Sequence, residues 1–186
     1  MKPVRILGMS GSLRKASYNS AALRAAAALV PDGASLEIFD LSPIPLYNDD
    51  VRAAGYPPAV QDFRSKIEAA DAILFVTPEY NYSMSGVLKN AIDWASRPPG
   101  PPLTRKPVGI MGATMGLWGT TRAQYHLRQV CVFLDLWPIN KPEVLIAQAQ
   151  TKFNDKGELT DEATKKVIQE HLVNLVGWTR RMQAQS

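Results

Sequence analysis

The run Pro78-Glu79-Tyr80-Asn81-Tyr82-Ser83-Met84-Ser85-Gly86-Val87-Leu88-Lys89-Asn90-Ala91-Ile92-Asp93-Trp94 carries a strand into a helix through a short polar and aromatic loop. Just before it, Ala72-Ile73-Leu74-Phe75-Val76 is too short for a helix and rich enough in branched and aromatic residues to be a buried strand. Within and after it, Val87, Leu88, Ala91, Ile92 and Ala95 recur at helical spacing. Pro78 stops the strand, Gly86 permits a sharp turn, and Ser83 or Ser85 is placed to cap the helix. Open α/β sheets bind their ligands in such loops, at the carboxyl ends of central strands.

Strand-like and helix-like segments alternate outward from this run. Val4–Met9, Leu36–Leu41, Ala72–Val76, Val108–Ala113 and Val144–Ala147 read as strands. Asn19–Leu29, Val60–Ala69, Val87–Ser96, Arg122–Leu134 and Asp161–Met182 read as helices, the last begun by the capping pattern Thr160-Asp161-Glu162-Ala163. With no compositional break or internal repeat, residues 1–186 are expected to form a single α/β domain, a flavodoxin-like three-layer sandwich around a five-stranded parallel sheet. Two doubly wound strand orders are compatible with this pattern. The flavodoxin-like one sets the first and third strands side by side, which brings the loop after Met9 next to the loop after Val76. Those are the two most polar glycine- and serine-bearing loops in the chain, and their meeting favours that order. Ser42–Pro58 is Pro-rich and expected to be irregular. Arg97-Pro98-Pro99-Gly100-Pro101-Pro102 is neither helix nor central strand, and reads as a stiff surface connector or, as the alternative, a polyproline ligand.

The formal net charge is +4 and the pI about 9.2, which favours anionic ligands. Lys and Arg are scattered, with no basic run or RNA-binding signature, so a small anionic molecule fits better than nucleic acid. The positive charge also sets the chain apart from the acidic electron shuttles that share this layout. No apolar run approaches the roughly 20 residues needed to cross a bilayer, and the amino terminus enters a strand with no secretory core. Cys131 is the only cysteine, so an internal disulfide and a Cys-rich metal site are both excluded. A cytoplasmic location without membrane contact is expected.

Gly8-Met9-Ser10-Gly11-Ser12-Leu13-Arg14-Lys15-Ala16-Ser17-Tyr18-Asn19-Ser20 joins the first strand to the first helix. A loop of this kind presents amides and a helix amino terminus to an anion. Ser10, Ser12, Ser17, Asn19 and Ser20 add side-chain donors, and Arg14 adds charge. The dinucleotide pattern G-x-G-x-x-G and the triphosphate pattern G-x-x-x-x-G-K-[ST] are both absent, so a terminal monophosphate is the better fit. The competing reading is a Ser- and Asn-rich turn with a good helix cap.

These residues carry a family resemblance. The first loop, the Pro78–Ser83 loop with Leu88-Lys89-Asn90-Ala91-Ile92-Asp93-Trp94, and Gly116-Leu117-Trp118-Gly119-Thr120-Thr121-Arg122-Ala123-Gln124 occur in the order found in NADPH-dependent FMN reductases. The chain is similar in particular to the bacterial quinone and chromate reductase branch, near azo- and ferric reductases. It departs from the family at Thr120-Thr121, where Gly-Gly is usual, which bears on the flexibility of that loop. The resemblance implies tightly bound FMN, NADPH or NADH as electron donor, and a small-molecule acceptor such as a quinone, with chromate, azo dyes and ferric complexes as further candidates. It implies that Ser10, Ser12, Arg14, Ser17, Asn19 and Ser20 hold the ribityl phosphate. Pro78, Glu79, Tyr80 and Asn81 would border the isoalloxazine, largely through backbone groups, with Ser83 nearby and Thr114 at the ring's polar edge. The flavin carries the redox chemistry, so neither a catalytic side chain nor a metal is expected. Rival functions are an FMN reductase that uses flavin as a loosely bound substrate, and a non-enzymatic flavin-binding electron carrier.

The remaining conspicuous residues have plain structural readings. Cys131 is expected to be a buried thiol, and His126 and His171 to be isolated from any metal site. Glu79 is a structural carboxylate or, alternatively, a proton donor. Trp94 and Trp137 are packing residues, whereas Trp118 is either packing or a cover over the flavin or an adjacent subunit's pocket. Homodimers or homotetramers are implied by the resemblance, with Arg122, Tyr125 and Glu143 bonding across a subunit boundary. The alternative for those three is a surface salt bridge of little energetic value.

Overall fold

A computed structural model describes residues 2–185. In chain order the elements are β1 (Val4–Ser10), α1 (Tyr18–Ala28), β2 (Ala34–Phe39), α2 (Asp49–Ala54), α3 (Pro58–Ala69), β3 (Ala72–Val76), β4 (Glu79–Tyr80) and β5 (Ser83–Met84). There follow α4 (Gly86–Ala95), β6 (Pro107–Ala113), α5 (Thr121–Phe133), β7 (Trp137–Pro138), β8 (Val144–Ile146) and α6 (Glu162–Gln183). The main sheet is parallel in the order β2-β1-β3-β6, with β7 and β8 both pairing with β6. This is the flavodoxin-like order, with the fifth position divided. β7 lies beside Pro107 and Val108, and β8 beside Met111–Ala113, so the expected fifth strand is β8 and the short β7 is an addition that shares its edge position.

Alternating side chains divide the core into two layers. Val4, Ile6, Ala72, Leu74 and Val76 pack with α1 and α6, whereas Leu7, Met9, Ile73 and Phe75 pack with α3, α4 and α5. β3 and β6 are buried along their whole length, as central parallel strands require. The irregular Pro-rich segment contains the short exposed helix α2, begun by Asn48, whose side chain caps Asp50 N. It is fastened to α4 by Asn90 and Trp94, both of which donate to the Pro45 carbonyl at 2.8 Å. The second Pro-rich segment is indeed a surface connector. Arg64 gathers its carbonyls, donating to Arg97, Pro99 and Gly100.

One local expectation changes and one alternative is settled. The turn ahead of α4 is made by Asn81 and Tyr82 in the left-handed region (φ 50° and 68°), between the antiparallel strands β4 and β5. Gly86 is simply the first residue of α4, and Ser85 rather than Ser83 caps it, accepting from Leu88 N at 3.2 Å.

His171 of α6 is buried behind β6. A ring N–H at Nδ1 donates to the Pro142 carbonyl at 2.9 Å, while Nε2 faces Gly109 and has no hydrogen-bond partner among the described residues. A side chain at position 109 would collide with that nitrogen and with Leu74, which accounts for the glycine. Burial lowers the His171 pKa to about 4; the Pro142 bond opposes this shift and the Arg128 charge adds to it. The folded state therefore binds this proton less readily than the unfolded chain, whose histidine titrates near 6.5. Stability from neutral His171 is complete above about pH 6.5 and is lost as pH falls toward 4, by an amount on the order of 3 kcal/mol. Urea unfolding of the parent and of His171→Gln at pH 7, 6 and 5 should show the parent losing stability faster. Equal losses in the two proteins would mean that His171 does not set the acid response.

Candidate functional site

Because β1 and β3 pair directly, the loops that follow them leave the sheet together. Gly11 N donates to the Val76 carbonyl at 2.8 Å, which extends the pairing one residue past β1. A Cβ on Gly11 would run into Ser85 Oγ and the Pro78 ring, so only glycine lets the two loops approach this closely.

The first loop divides into a scaffold and an open rim. Ser17 caps α1, accepting from Asn19 N at 3.2 Å and Ser20 N at 3.4 Å. Ser10 and Ser20 bond to one another at 3.1 Å, and Ser10 Oγ also accepts from Ser12 N. Asn19 is buried with its amide engaged at both ends. Nδ2 donates to the Ala113 carbonyl at 2.9 Å, and Oδ1 accepts from Ala113 N at 2.8 Å. This ties α1 to the end of β6 and gives Asn19 a positioning part. The Ser12 hydroxyl and Arg14 guanidinium make no hydrogen bond among the described residues, nor do the amides of Leu13, Arg14, Lys15 and Ala16. Arg14 lies 5.9 Å from the Tyr18 ring centre. The free donors thus gather just ahead of the positive end of α1, which suits an anion.

The second loop is the β4–β5 hairpin, which lies along the start of α5. α5 begins with Thr120 in the left-handed region and no side-chain cap of its own. The Thr120 hydroxyl instead accepts from Gln124 Nε2 at 3.2 Å. The missing cap comes from β4: Glu79 Oε2 accepts from Arg122 N at 3.0 Å and Ala123 N at 3.2 Å, and Oε1 accepts from Arg122 Nη1 at 3.0 Å. One turn further along, the Ser83 hydroxyl bonds His126 Nδ1 at 3.0 Å, facing the groove between α4 and α5. Glu79 therefore has a structural part. Neither this imported cap nor the Ser83–His126 contact is visible as a local pattern in the chain.

Pro78 packs against Gly11 and its carbonyl accepts from the Thr77 hydroxyl at 2.9 Å. Tyr80 and Asn81 are exposed at the hairpin tip, and Tyr82 is 64% exposed. Thr114 stands at the end of β6, its hydroxyl accepting from Gly116 N at 3.3 Å. The following loop leaves Met115, Leu117 and Trp118 exposed, and the Arg122 guanidinium lies between Trp118 and Tyr82. The three loops thus give a polar cradle at the start of α1 and an aromatic rim beside it. Cys131 sits apart from them in the core, where burial pushes its thiol up to about 12 and keeps it protonated. Tyr125 bonds Glu143 at 3.5 Å within one chain, and Arg122 is paired with Glu79, so these groups already have partners without a second subunit.

Comparison with known proteins agrees with this geometry. The chain is 60% identical over 179 residues to an NAD(P)H-dependent FMN reductase of Pseudomonas aeruginosa, covering 96% of this chain and 97% of that one. It is 48% identical over 190 residues to an NADPH:quinone oxidoreductase of Arabidopsis thaliana, covering 98% and 96% of the two chains. Among solved structures, a flavoenzyme NAD(P)H:(acceptor) oxidoreductase from Paracoccus denitrificans superposes with a TM-score of 0.87 at 33% identity, over 96% of this chain and 98% of that one. The family described as NADPH-dependent FMN reductase matches residues 4–151, from the start of β1 through the loop beyond β8, and the chain belongs to that family.

Proposed function

We propose that this chain is an FMN-containing oxidoreductase that takes reducing equivalents from NADPH or NADH and passes them to quinones or similar small acceptors. The observation that carries this reading is the junction of the two loops at Gly11, which sets free amides and Arg14 beside an aromatic rim. That combination fits a terminal phosphate attached to a flat ring system. FMN, when bound, would supply two-electron hydride chemistry. Around it the chain's own groups have distinct work. The amides of residues 13–16, with Ser12 and Arg14, would hold the phosphate. Ser17, Ser10, Ser20 and Asn19 would keep that loop in shape. The backbone of Pro78–Asn81 and the Thr114 region would border the ring and offer dipoles to charge developing at its polar edge.

The name of the Pseudomonas relative favours a second reading, with FMN as a diffusible substrate. Purified protein that stays yellow through gel filtration supports resident FMN. Colourless protein that oxidises NADPH only with added FMN would replace our reading with the second one.

The proposal extends to a single cytoplasmic domain that assembles as a homodimer or homotetramer. Assembly is supported by the apolar end of α5, where Val132 and Phe133 are 81% and 89% exposed.

Two results are expected. Hydrogen bonds to a charged group are worth about 1.5–3 kcal/mol each, so Ser12→Ala with Arg14→Ala should weaken FMN binding at least roughly tenfold. Asn19→Ala should instead cost roughly 2–4 kcal/mol in urea unfolding, because it strips the Ala113 amide and carbonyl of buried partners. Full FMN affinity in the double variant, read by flavin fluorescence titration, would move the phosphate elsewhere. Separately, nicotinamide and acceptor should use the same open face in turn and give parallel double-reciprocal lines. Intersecting lines would require both to bind at once.

A further inference from the structure

Thr120 stands where no local preference would put a threonine. Among the described residues six other than glycine have positive φ, and five of them are exposed. Thr120 is the sixth; it is fully buried, and it alone is β-branched. Its φ of 66° and ψ of 26° lie in the left-handed region, where a β-branched residue is a rare outlier. Such a conformation persists only where the surroundings over-determine it.

The surroundings do so from two sides. The Thr120 side chain fills the space over Gly112 of β6, where a Cβ would collide with its hydroxyl and with the Thr77 carbonyl. The hydroxyl accepts from Gln124 Nε2 at 3.2 Å, and the same nitrogen donates to the Val144 carbonyl of β8 at 3.0 Å. Beside it Gly119, at φ 56°, is pressed onto the Leu145 backbone with no room for a Cβ. The other end of the loop is held separately. Thr114 N donates to the Ile146 carbonyl at 2.9 Å, Ala149 N to the Thr114 carbonyl at 3.0 Å, and Gln148 N to the Gly116 carbonyl at 2.9 Å. Between these anchors Met115, Leu117 and Trp118 are exposed. A glycine at position 120 would take the same backbone conformation without strain. It would, however, empty the space over Gly112 and leave Gln124 Nε2 with one acceptor. The side chain thus accounts for the strained threonine.

We propose that Thr120 is a positioning residue for the flavin site: its buried side chain pins the α5 end of the Thr114–Gly119 loop to β6 and β8, so that the backbone beside the ring keeps one arrangement. The proposal rests on the flavin reading given above. Thr120 touches no reacting atom and acts through the loop. A loop already held in place binds more tightly than one that must be ordered on binding.

The test compares the purified protein with its Thr120→Gly and Thr120→Ser variants. Thr120→Gly removes the side chain and the strain together, whereas Thr120→Ser keeps the hydroxyl. Hydrogen exchange, followed by mass spectrometry without nicotinamide or acceptor, reads the anchors directly. The reporting amides are Thr121 and Gln124, which donate to the Trp118 and Thr120 carbonyls, with Gln148 and Ala149, which donate to carbonyls of the loop. In Thr120→Gly these should exchange at least roughly fivefold faster, while peptides of α3 and α6 keep parental rates. In Thr120→Ser all should stay within about twofold of the parent. FMN affinity, read by flavin fluorescence titration, should weaken at least roughly threefold in Thr120→Gly and be restored in Thr120→Ser. Parental exchange at these amides, or parental FMN affinity, in Thr120→Gly would overturn the proposal. So would faster exchange spread through α3 and α6, the mark of a general defect. If Thr120→Gly does not fold, Thr120→Ala, which also lacks the hydroxyl, decides by the same comparison with Thr120→Ser. A parent protein that binds no FMN would overturn the flavin reading and the positioning role with it. Unchanged exchange in a protein that binds FMN normally would overturn the positioning role alone.

Discussion

The direct parallel pairing of β1 with β3 is the constraint on which the site depends. Ile6 stands opposite Ala72, and the register holds to Ser10 opposite Val76. Both strands are largely apolar on both faces, with Arg5 the exposed exception in β1, and the faces differ. Leu74 and Val76 go to the α1–α6 layer, Ile73 and Phe75 to the other. A slip of one residue would exchange the two sets, so packing fixes the register. The Gly11–Val76 hydrogen bond carries that register into the loops. The cradle is therefore shaped by the core beneath it before any ligand arrives.

Helix starts then decide what the loops can present. α1 and α4 are capped by their own Ser17 and Ser85. Such local caps are each worth about 1 kcal/mol and demand nothing from the rest of the chain. α5 differs, because its cap comes from Glu79, more than forty residues earlier in the chain. Asn19 makes a comparable long link, from α1 to Ala113 at the end of β6. Through these two side chains the phosphate-type loop, the hairpin and the Trp118 loop are all referred to the same three strands. Substitutions at Glu79 or Asn19 should thus be felt in more than one loop.

What could be read from the chain follows from how local each cause is. β1, β3 and β6 were legible because strands buried on both faces are continuous apolar runs, and the helices because their apolar residues recur at helical spacing. The strand order was legible because it unites two loops of like chemistry. The β4–β5 hairpin was not: its strands have two residues each, and its turn uses Asn81 and Tyr82 where a glycine would have announced it. β7 was hidden by Pro138, which is tolerable there only at the sheet edge. At the site, residue types could not separate Ser12 and Arg14, whose side chains make no hydrogen bond among the described residues, from Asn19, whose amide bonds a residue 94 positions away. Long-range pairing assigns those parts, and no local pattern records it.

The two arginines at the site show how context divides one chemistry into two. Arg14 sits on the exposed first loop, makes no ion pair among the described residues, and has only the Tyr18 ring nearby. Its charge is uncompensated and next to the positive end of α1, so it adds to the field that draws an anion inward. Arg122 is only half-buried but is matched by the Glu79 carboxylate, so it contributes little to that field. What remains to it is shape, a flat cation against which aromatic rings can rest. A net charge of +4 therefore says less about ligand binding than the placement of one unpaired arginine does. The uncompensated charge therefore lies at the first loop, beside the start of α1, and the paired charge lies beside the exposed Tyr82 and Trp118 rings.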